Sequence, residues 1–317
     1  MKLKKIPYTN YLFTQVRDFL VDTYDPTAAH HNWQIDRWNF SRFVSQTIHE
    51  TVESWPDTVG VWVDKSAGIQ AVVNSEGENR GDAFFQLVAR SYTDEELEKL
   101  VDHAEEYLFV TKKDSRKKLQ PRVGTDFNQL IKILQNRGYQ RTGEKEPAGL
   151  LEITGPEDGN LPKRLRLVDV ANFSDQKRGV AHSLAFGYAR EGALEEYHIV
   201  EAFKNMRRAP DYREELDLAV LDQKGDVAAF ATFWLDRVNK FGMLEPLGTV
   251  PAYQRMGLAR ALIYEGINRL HELGADILYG PVNQEFYLRI GFKPAYEFEV
   301  WEKEWGGSDY EQEMKVE

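Results

Sequence analysis

The hydrophobic pattern of this 317-residue chain runs through one order of elements twice. Between the two runs lies Thr154-Gly155-Pro156-Glu157-Asp158-Gly159-Asn160-Leu161-Pro162, rich in turn formers and without an apolar period, which reads as a linker. Before it the sequence predicts a strand near Leu3–Tyr8, helices at Tyr11–Thr23 and Asp36–Thr47, and a hairpin of Val59–Asp64 with Ile69–Asn74. A strand at Ala83–Val88, a helix at Asp94–Leu108, a strand at Leu119–Val123, a helix at Asp126–Arg137 and a closing strand at Ala148–Ile153 follow. After it come a strand at Arg164–Val170, helices at Phe173–Tyr188 and Leu194–Arg207, and a hairpin of Asp217–Leu221 with Val227–Leu235. A strand at Gly242–Val250, an amphipathic helix at Gly257–Leu273, a strand at Ile277–Val282, a short helix to Arg289 and a strand at Phe298–Trp305 complete the chain. Each half reads β-α-α-β-β-β-α-β-α-β. That is a duplicated α+β domain rather than a short-period repeat array, with domains expected at 1–155 and 162–317.

Composition removes several function classes. There is no cysteine, which excludes disulfides, thiolate metal sites, iron–sulfur clusters and cysteine nucleophiles, and suits a reducing cytoplasm. Lys+Arg 40 against Asp+Glu 51 leaves a net charge of −11, a poor match to the phosphate backbone of nucleic acid. The basic start is broken by Asp18, Asp22 and Asp25 too early for a signal peptide, and no apolar run is long enough to predict a transmembrane helix. A cytoplasmic protein with neither a nucleic-acid nor a membrane partner is expected.

The stretch most able to carry chemistry is Leu247-Gly248-Thr249-Val250-Pro251-Ala252-Tyr253-Gln254-Arg255-Met256-Gly257-Leu258-Ala259. A strand ends, a short loop follows and a helix begins, with Gln254-x-x-Gly257-x-Ala259 in the loop. Small residues at 257 and 259 let a ligand approach the backbone. The N–H groups of the first helical turn then converge on one spot and, with the helix dipole, favour a phosphate or diphosphate, to which Arg255 and Arg260 add charge.

This run resembles the acetyl-CoA-binding motif of the GNAT acetyltransferase superfamily, whose loop reads Gln/Arg-x-x-Gly-x-Gly/Ala. Phe286-Tyr287-Leu288-Arg289-Ile290-Gly291-Phe292 resembles the same family's second signature, a Tyr four residues before a Gly-Phe pair. The resemblance covers Arg164 to Trp305. In the first half, Leu134-Gln135-Asn136-Arg137-Gly138-Tyr139 echoes the second signature, but Val88-Ala89-Arg90-Ser91-Tyr92-Thr93-Asp94 lacks the glycine loop. The resemblance therefore implies two tandem GNAT-like domains, each a mixed, mostly antiparallel sheet flanked by helices, the first degenerate and non-catalytic. It implies acetyl-CoA as cosubstrate, no metal, and transfer of the acetyl group to a primary amine of a small molecule or peptide in a direct ternary complex. Leu247, Gly248, Thr249 and Val250 would meet the pantetheine arm, with an N–H near Thr249 polarising the thioester. Gln254, Arg255, Met256, Gly257, Leu258, Ala259 and Arg260 would hold the diphosphate. Glu245, expected to share the facing of Leu247 and Thr249, would act as base or amine anchor, and Tyr287 would protonate the departing thiolate. Without acid and base, the same loop would serve a non-catalytic acyl-CoA-binding sensor or interaction module.

Other features have plainer readings. Tyr287 beside Phe286 and Phe292 also fits a packed aromatic cluster, and Glu245 also fits a solvated strand residue. His30-His31 lacks a third ligand at metal spacing and reads as loop histidines. Lys112-Lys113-Asp114-Ser115-Arg116-Lys117-Lys118 reads as a solvated loop.

Overall fold

A computed structural model describes residues 3–78, 80–188 and 196–306. In chain order the principal elements are β1 (Lys4–Pro7), α1 (Phe13–Asp22), α2 (Ile35–Phe40), β2 (Gly60–Val63), β3 (Ile69–Asn74), β4 (Asp82–Leu87), α3 (Asp94–Tyr107), β5 (Lys117–Gly124), α4 (Asn128–Asn136) and β6 (Gln140–Glu152). They continue with β7 (Arg166–Asp169), α5 (Asp175–Phe186), α6 (Glu196–Met206), β8 (Asp217–Leu221), β9 (Val227–Asp236), β10 (Phe241–Thr249), α7 (Leu258–Glu272), β11 (Ile277–Pro281), α8 (Glu285–Ile290) and β12 (Lys293–Trp305). The start of the helix expected from Leu194 lies outside the described residues. The helix expected over Asp36–Thr47 is α2 followed by a π-helical turn at Ser41–Ser45 and a further short turn at Gln46–Ile48.

The chain forms two compact units. One takes Met1–Trp33, Thr51–Glu146 and Glu297–Glu317; the other takes Gln34–Glu50 and Pro147–Tyr296. These boundaries differ from the sequence halves 1–155 and 162–317, and strand pairing gives the reason. Residues 148–152 of β6 pair antiparallel with β11, in the second unit. Residues 298–305 of β12 pair antiparallel with β5, in the first. Each half's last strand thus completes the sheet of the other half's unit.

Within each unit the ladder is the same. In the first unit β1, β2, β3 and β4 are successively antiparallel, β4 and β5 are parallel, and β12 closes the sheet. In the second, β7, β8, β9 and β10 are antiparallel, β10 and β11 are parallel, and β6 closes the sheet. The expected mixed, mostly antiparallel sheets flanked by helices are present. In the second unit Leu258, Leu262, Ile263, Ile267 and Leu270 of α7 pack on Leu218, Ala229, Phe233 and Leu244 of the sheet. In the first, Leu97, Leu100, Val101 and Ala104 of α3 pack with Phe85, Leu119 and Trp301.

Charged groups behave less simply than the sequence suggested. The basic run around 112–118 turns into β5, closed by the Lys112 N–H donating to Arg116 O at 2.7 Å, and its charges are paired: Lys112 and Arg116 with Glu304, and Lys118 with Glu302. In the second unit Arg178 is 1% exposed, donating to Thr232 Oγ1 at 2.9 Å and lying 3.4 Å from Asp217, which also accepts from Tyr212 Oη. No periodicity flags that network.

Three histidines shielded from water, His103 and His182 buried and His30 half-buried, set an acid limit on stability. Burial pushes His30 and His103 down to about 4 and His182 to about 3, the last helped by neighbouring Arg178. In the unfolded chain these rings take up a proton near pH 6.5, so their contribution is complete above that pH and is lost as pH falls toward 4. Each should cost on the order of 1 kcal/mol per pH unit across that window. The melting temperature should therefore drop steeply between pH 7 and 4.5, and His182→Phe should flatten part of the drop. A melting temperature unchanged over that range would contradict this account.

Candidate active site

The second unit holds a break in its sheet. Parallel pairing of β10 with β11 runs from Phe241↔Ile277 to Met243↔Tyr279 and stops, while β10 continues to Thr249. On its other edge β10 stays paired with β9 as far as Thr249, and the Val250 N–H donates to Ala228 O at 3.0 Å. Backbone groups on an antiparallel strand alternate in direction. The N–H and C=O of Thr249 and Leu247 therefore point away from β9, into the gap where the β11 ladder has ended. A strand edge of this kind can bind an extended, amide-bearing ligand.

Glu245 sits on an irregularity. Ala231 faces Leu247 and Phe233 faces Leu244, so Glu245 and Pro246 together stand opposite Thr232. This bulge breaks the alternation: Met243 packs with Trp234 in one cluster, whereas Leu244 and Leu247 both pack with the α7 cluster. The expected shared facing of Glu245 with Leu247 and Thr249 is therefore incorrect. Pro246 inside a strand pattern was the available signal, because proline in sheets collects at bulges and edges. Trp234 Nε1 donates to Glu245 O at 2.9 Å and fixes the bulge, and the Glu245 side chain is exposed.

Tyr287 lies on α8, just beyond β11. It is 7% exposed and meets Phe286 and Phe292 edge-on, with ring centroids at 5.0 and 5.8 Å. Burial, reinforced by the charge of Glu245, pushes its phenol up to about 12. Tyr287 is thus a packed aromatic that also feels Glu245.

The glycine loop follows β10. Pro251–Tyr253 forms a 3-10 turn, pinned by Tyr253 Oη donating to Asp222 Oδ2 at 2.7 Å. Gln254 and Arg255 are exposed, Met256 is half-buried, and Gly257 caps α7 at φ 80°. A Cβ at Gly257 would meet nothing within 4 Å, so the glycine serves the left-handed backbone and leaves open space above it. Leu258 is buried as the anchor, Ala259 half-buried, and Arg260 exposed with its guanidinium 4.9 Å from the Tyr264 ring. The Ala261 N–H bonds Gly257 O at 3.0 Å, leaving the Leu258, Ala259 and Arg260 N–H groups ahead of the helical ladder. No side chain caps this end and no acidic residue lies in its first turn. Beside it is a cavity of about 190 Å³ lined by Asp158, Gly159, Asn160, Gly257, Arg260 and Ala261. The inter-half linker forms part of that wall, held where Asn268 accepts from the Glu157 N–H at 2.7 Å and donates to Glu157 O at 2.9 Å. The segment that the sequence marks as a linker thus also lines this cavity.

The matching helix of the first unit is built for the opposite charge. Thr93 and Glu96 form a reciprocal capping box at the start of α3, and Asp94, Glu95 and Glu96 fill its first turn. The capping oxygens occupy the N–H groups and the carboxylates repel an anion. Among the described residues no group of three or more His, Asp or Glu side chains could hold a metal ion, and no helix is long and apolar enough to cross a membrane.

Residues 184–292 match the sequence model of the acetyltransferase (GNAT) family. Among solved structures, a GCN5-related N-acetyltransferase from Sphaerobacter thermophilus is 14% identical, with 97% of each chain covered and a TM-score of 0.62. A tandem GNAT protein from the clavulanic acid biosynthesis pathway is 16% identical, covering 97% of this chain and 100% of its own, at a TM-score of 0.65. The N-myristoyltransferase of Saccharomyces cerevisiae is 11% identical, covering 95% and 78%, at 0.53. At these identities the likeness is one of fold. A search of curated proteins finds no match.

Gly257→Ala should destabilise the fold by about 1–2 kcal/mol, because alanine pays for the left-handed conformation while gaining no contact. Urea unfolding should show a lower midpoint at unchanged slope; an unaltered midpoint would disprove the backbone argument.

Proposed function

We propose, from the premise that this chain is a tandem GNAT-fold protein whose family match supports acyl transfer, that its second unit moves an acetyl group from acetyl-CoA to a primary amine of a small molecule or peptide. The observation that carries this reading is the outward-facing backbone of Leu247 and Thr249 beside the uncapped start of α7. Pantetheine amides would pair along the strand from Leu247 through Val250, where Gly248 makes room for the buried Phe230 ring that a Cβ would strike. The diphosphate would sit on the N–H groups of Leu258, Ala259 and Arg260, within the turn of Gln254, Arg255, Met256 and Gly257.

In the ternary complex the neutral amine attacks the thioester carbon. The Thr249 N–H stabilises the developing oxyanion, the carbon–sulfur bond breaks, and an amide and a thiolate result. Glu245 takes the amine's proton or holds the incoming ammonium; its exposed side chain is open to an acceptor. Tyr287 gives its proton to the sulfur. Its raised pKa keeps it protonated at neutral pH, and burial in the same slot raises a thiolate's proton affinity as well. The acidic, side-chain-capped α3 supports a non-catalytic first unit.

Thiol release from acetyl-CoA with a panel of primary amines tests this reading. Tyr287→Phe should lower kcat on the order of 10²-fold while leaving the acetyl-CoA Kd unchanged. Because its phenol titrates near 12, Tyr287 should impose no loss of kcat between pH 8 and 10. Equal rates for wild type and Tyr287→Phe on a good acceptor would remove this tyrosine from the reaction.

A further inference from the structure

The first unit contains the same sheet break as the second, and its own chain fills it. Parallel pairing of β4 with β5 covers only Asp82↔Gln120 and Ala83↔Pro121, yet β4 continues to Leu87 and β5 to Gly124. On the opposite edge, the Val88 N–H donates to Gln70 O at 3.1 Å, as Val250 does to Ala228. The alternation that turns Thr249 and Leu247 into their gap therefore turns Leu87 and Phe85 into this one.

Both are occupied. Asn32 pairs with Leu87 in the manner of a strand: the Leu87 N–H donates to Asn32 Oδ1 at 2.7 Å, and Asn32 Nδ2 donates to Leu87 O at 2.9 Å. His30 spans the gap. Its Nε2 donates to Phe85 O at 2.6 Å on β4, and its Nδ1 accepts from the Gly124 N–H at 3.3 Å on β5. Burial holds the ring neutral, which is the form able to donate and accept at once. The Trp33 N–H adds a bond to Gln86 Oε1 at 2.7 Å. The fit leaves no slack: a Cβ on Gly124 would lie 2.7 Å from Ala29 O.

We infer that residues 29–33 are a built-in occupant of the first unit's slot, with the Asn32 amide standing where a pantetheine amide would bind, so that the first unit is closed to acyl-CoA and the chain takes one acyl-CoA. The inference rests on the reading of the second unit as the acyl-CoA site.

Calorimetric titration of the intact chain with acetyl-CoA, followed by amide hydrogen exchange with and without acetyl-CoA, tests it. One equivalent should bind. Exchange at Thr249 should slow at least tenfold on binding, while Leu87, already slow in the free protein, should not change. Asn32→Ala should speed exchange at Leu87 at least tenfold and leave Thr249 unaffected. Two equivalents bound by wild type, or slowing at Leu87 on binding, would overturn the inference without touching the proposed function. No binding, or binding with Thr249 unchanged, would instead refute the second-unit site on which the inference depends. The two wild-type measurements decide the matter even where Asn32→Ala fails to fold.

Discussion

Two parallel strands that part before they end impose the central constraint on this molecule. Each unpaired peptide group inside a protein must find a partner or lose about 1–3 kcal/mol of desolvation. The sheet of each unit creates such groups deliberately: β10 outruns its ladder with β11 by six residues' length of strand, from Leu244 to Thr249, and β4 outruns its ladder with β5 from Phe84 to Leu87. What fills the opening determines what the unit can do.

The two units answer that requirement with different chemistry. In the first, side chains from residues 30–32 satisfy the β4 edge, and a capping box satisfies the start of α3. Its polar groups are spent internally, and the acidic first turn of α3 opposes an anion. In the second, the start of α7 carries no side-chain cap, and Gly257 bends the chain without placing an atom in front of the N–H groups. The contrast is not one of fold, since the ladders match strand for strand. It lies in a few residues at the two ends of equivalent strands.

Much of this was legible in the sequence because it follows from local pattern. The repeated order of elements came from hydrophobic periodicity, and α7 announced itself by its stripe from Leu258 to Leu270. The loop Gln254-x-x-Gly257-x-Ala259 and the Tyr287–Phe292 segment mark the candidate site because backbone conformation and close approach restrict residue choice. What was not legible depends on pairing at a distance. Partner choice across a sheet has no local signature, so nothing near either strand says that residues 148–152 pair with β11 and residues 298–305 with β5. Asn32 and His30 sit in a loop without period; their partners, Phe85, Leu87 and Gly124, are more than fifty residues away. The facing of Glu245 does not follow from regular alternation, because the bulge at Glu245–Pro246 shifts the pattern.

That bulge has a consequence for the chemistry. An uninterrupted strand would alternate strictly from Met243 to Thr249, giving Glu245 and Thr249 one face. The extra residue at Glu245–Pro246 instead puts Leu244 and Leu247 on the α7 side together and leaves Glu245 at the irregular turn, its carbonyl held by the Trp234 indole. Its side chain is exposed, yet near enough to raise the phenol of Tyr287. The base and acid roles proposed for Glu245 and Tyr287 call for environments that push their proton affinities apart. Exposure at the bulge for Glu245, and burial on α8 against Phe286 and Phe292 for Tyr287, are two such environments.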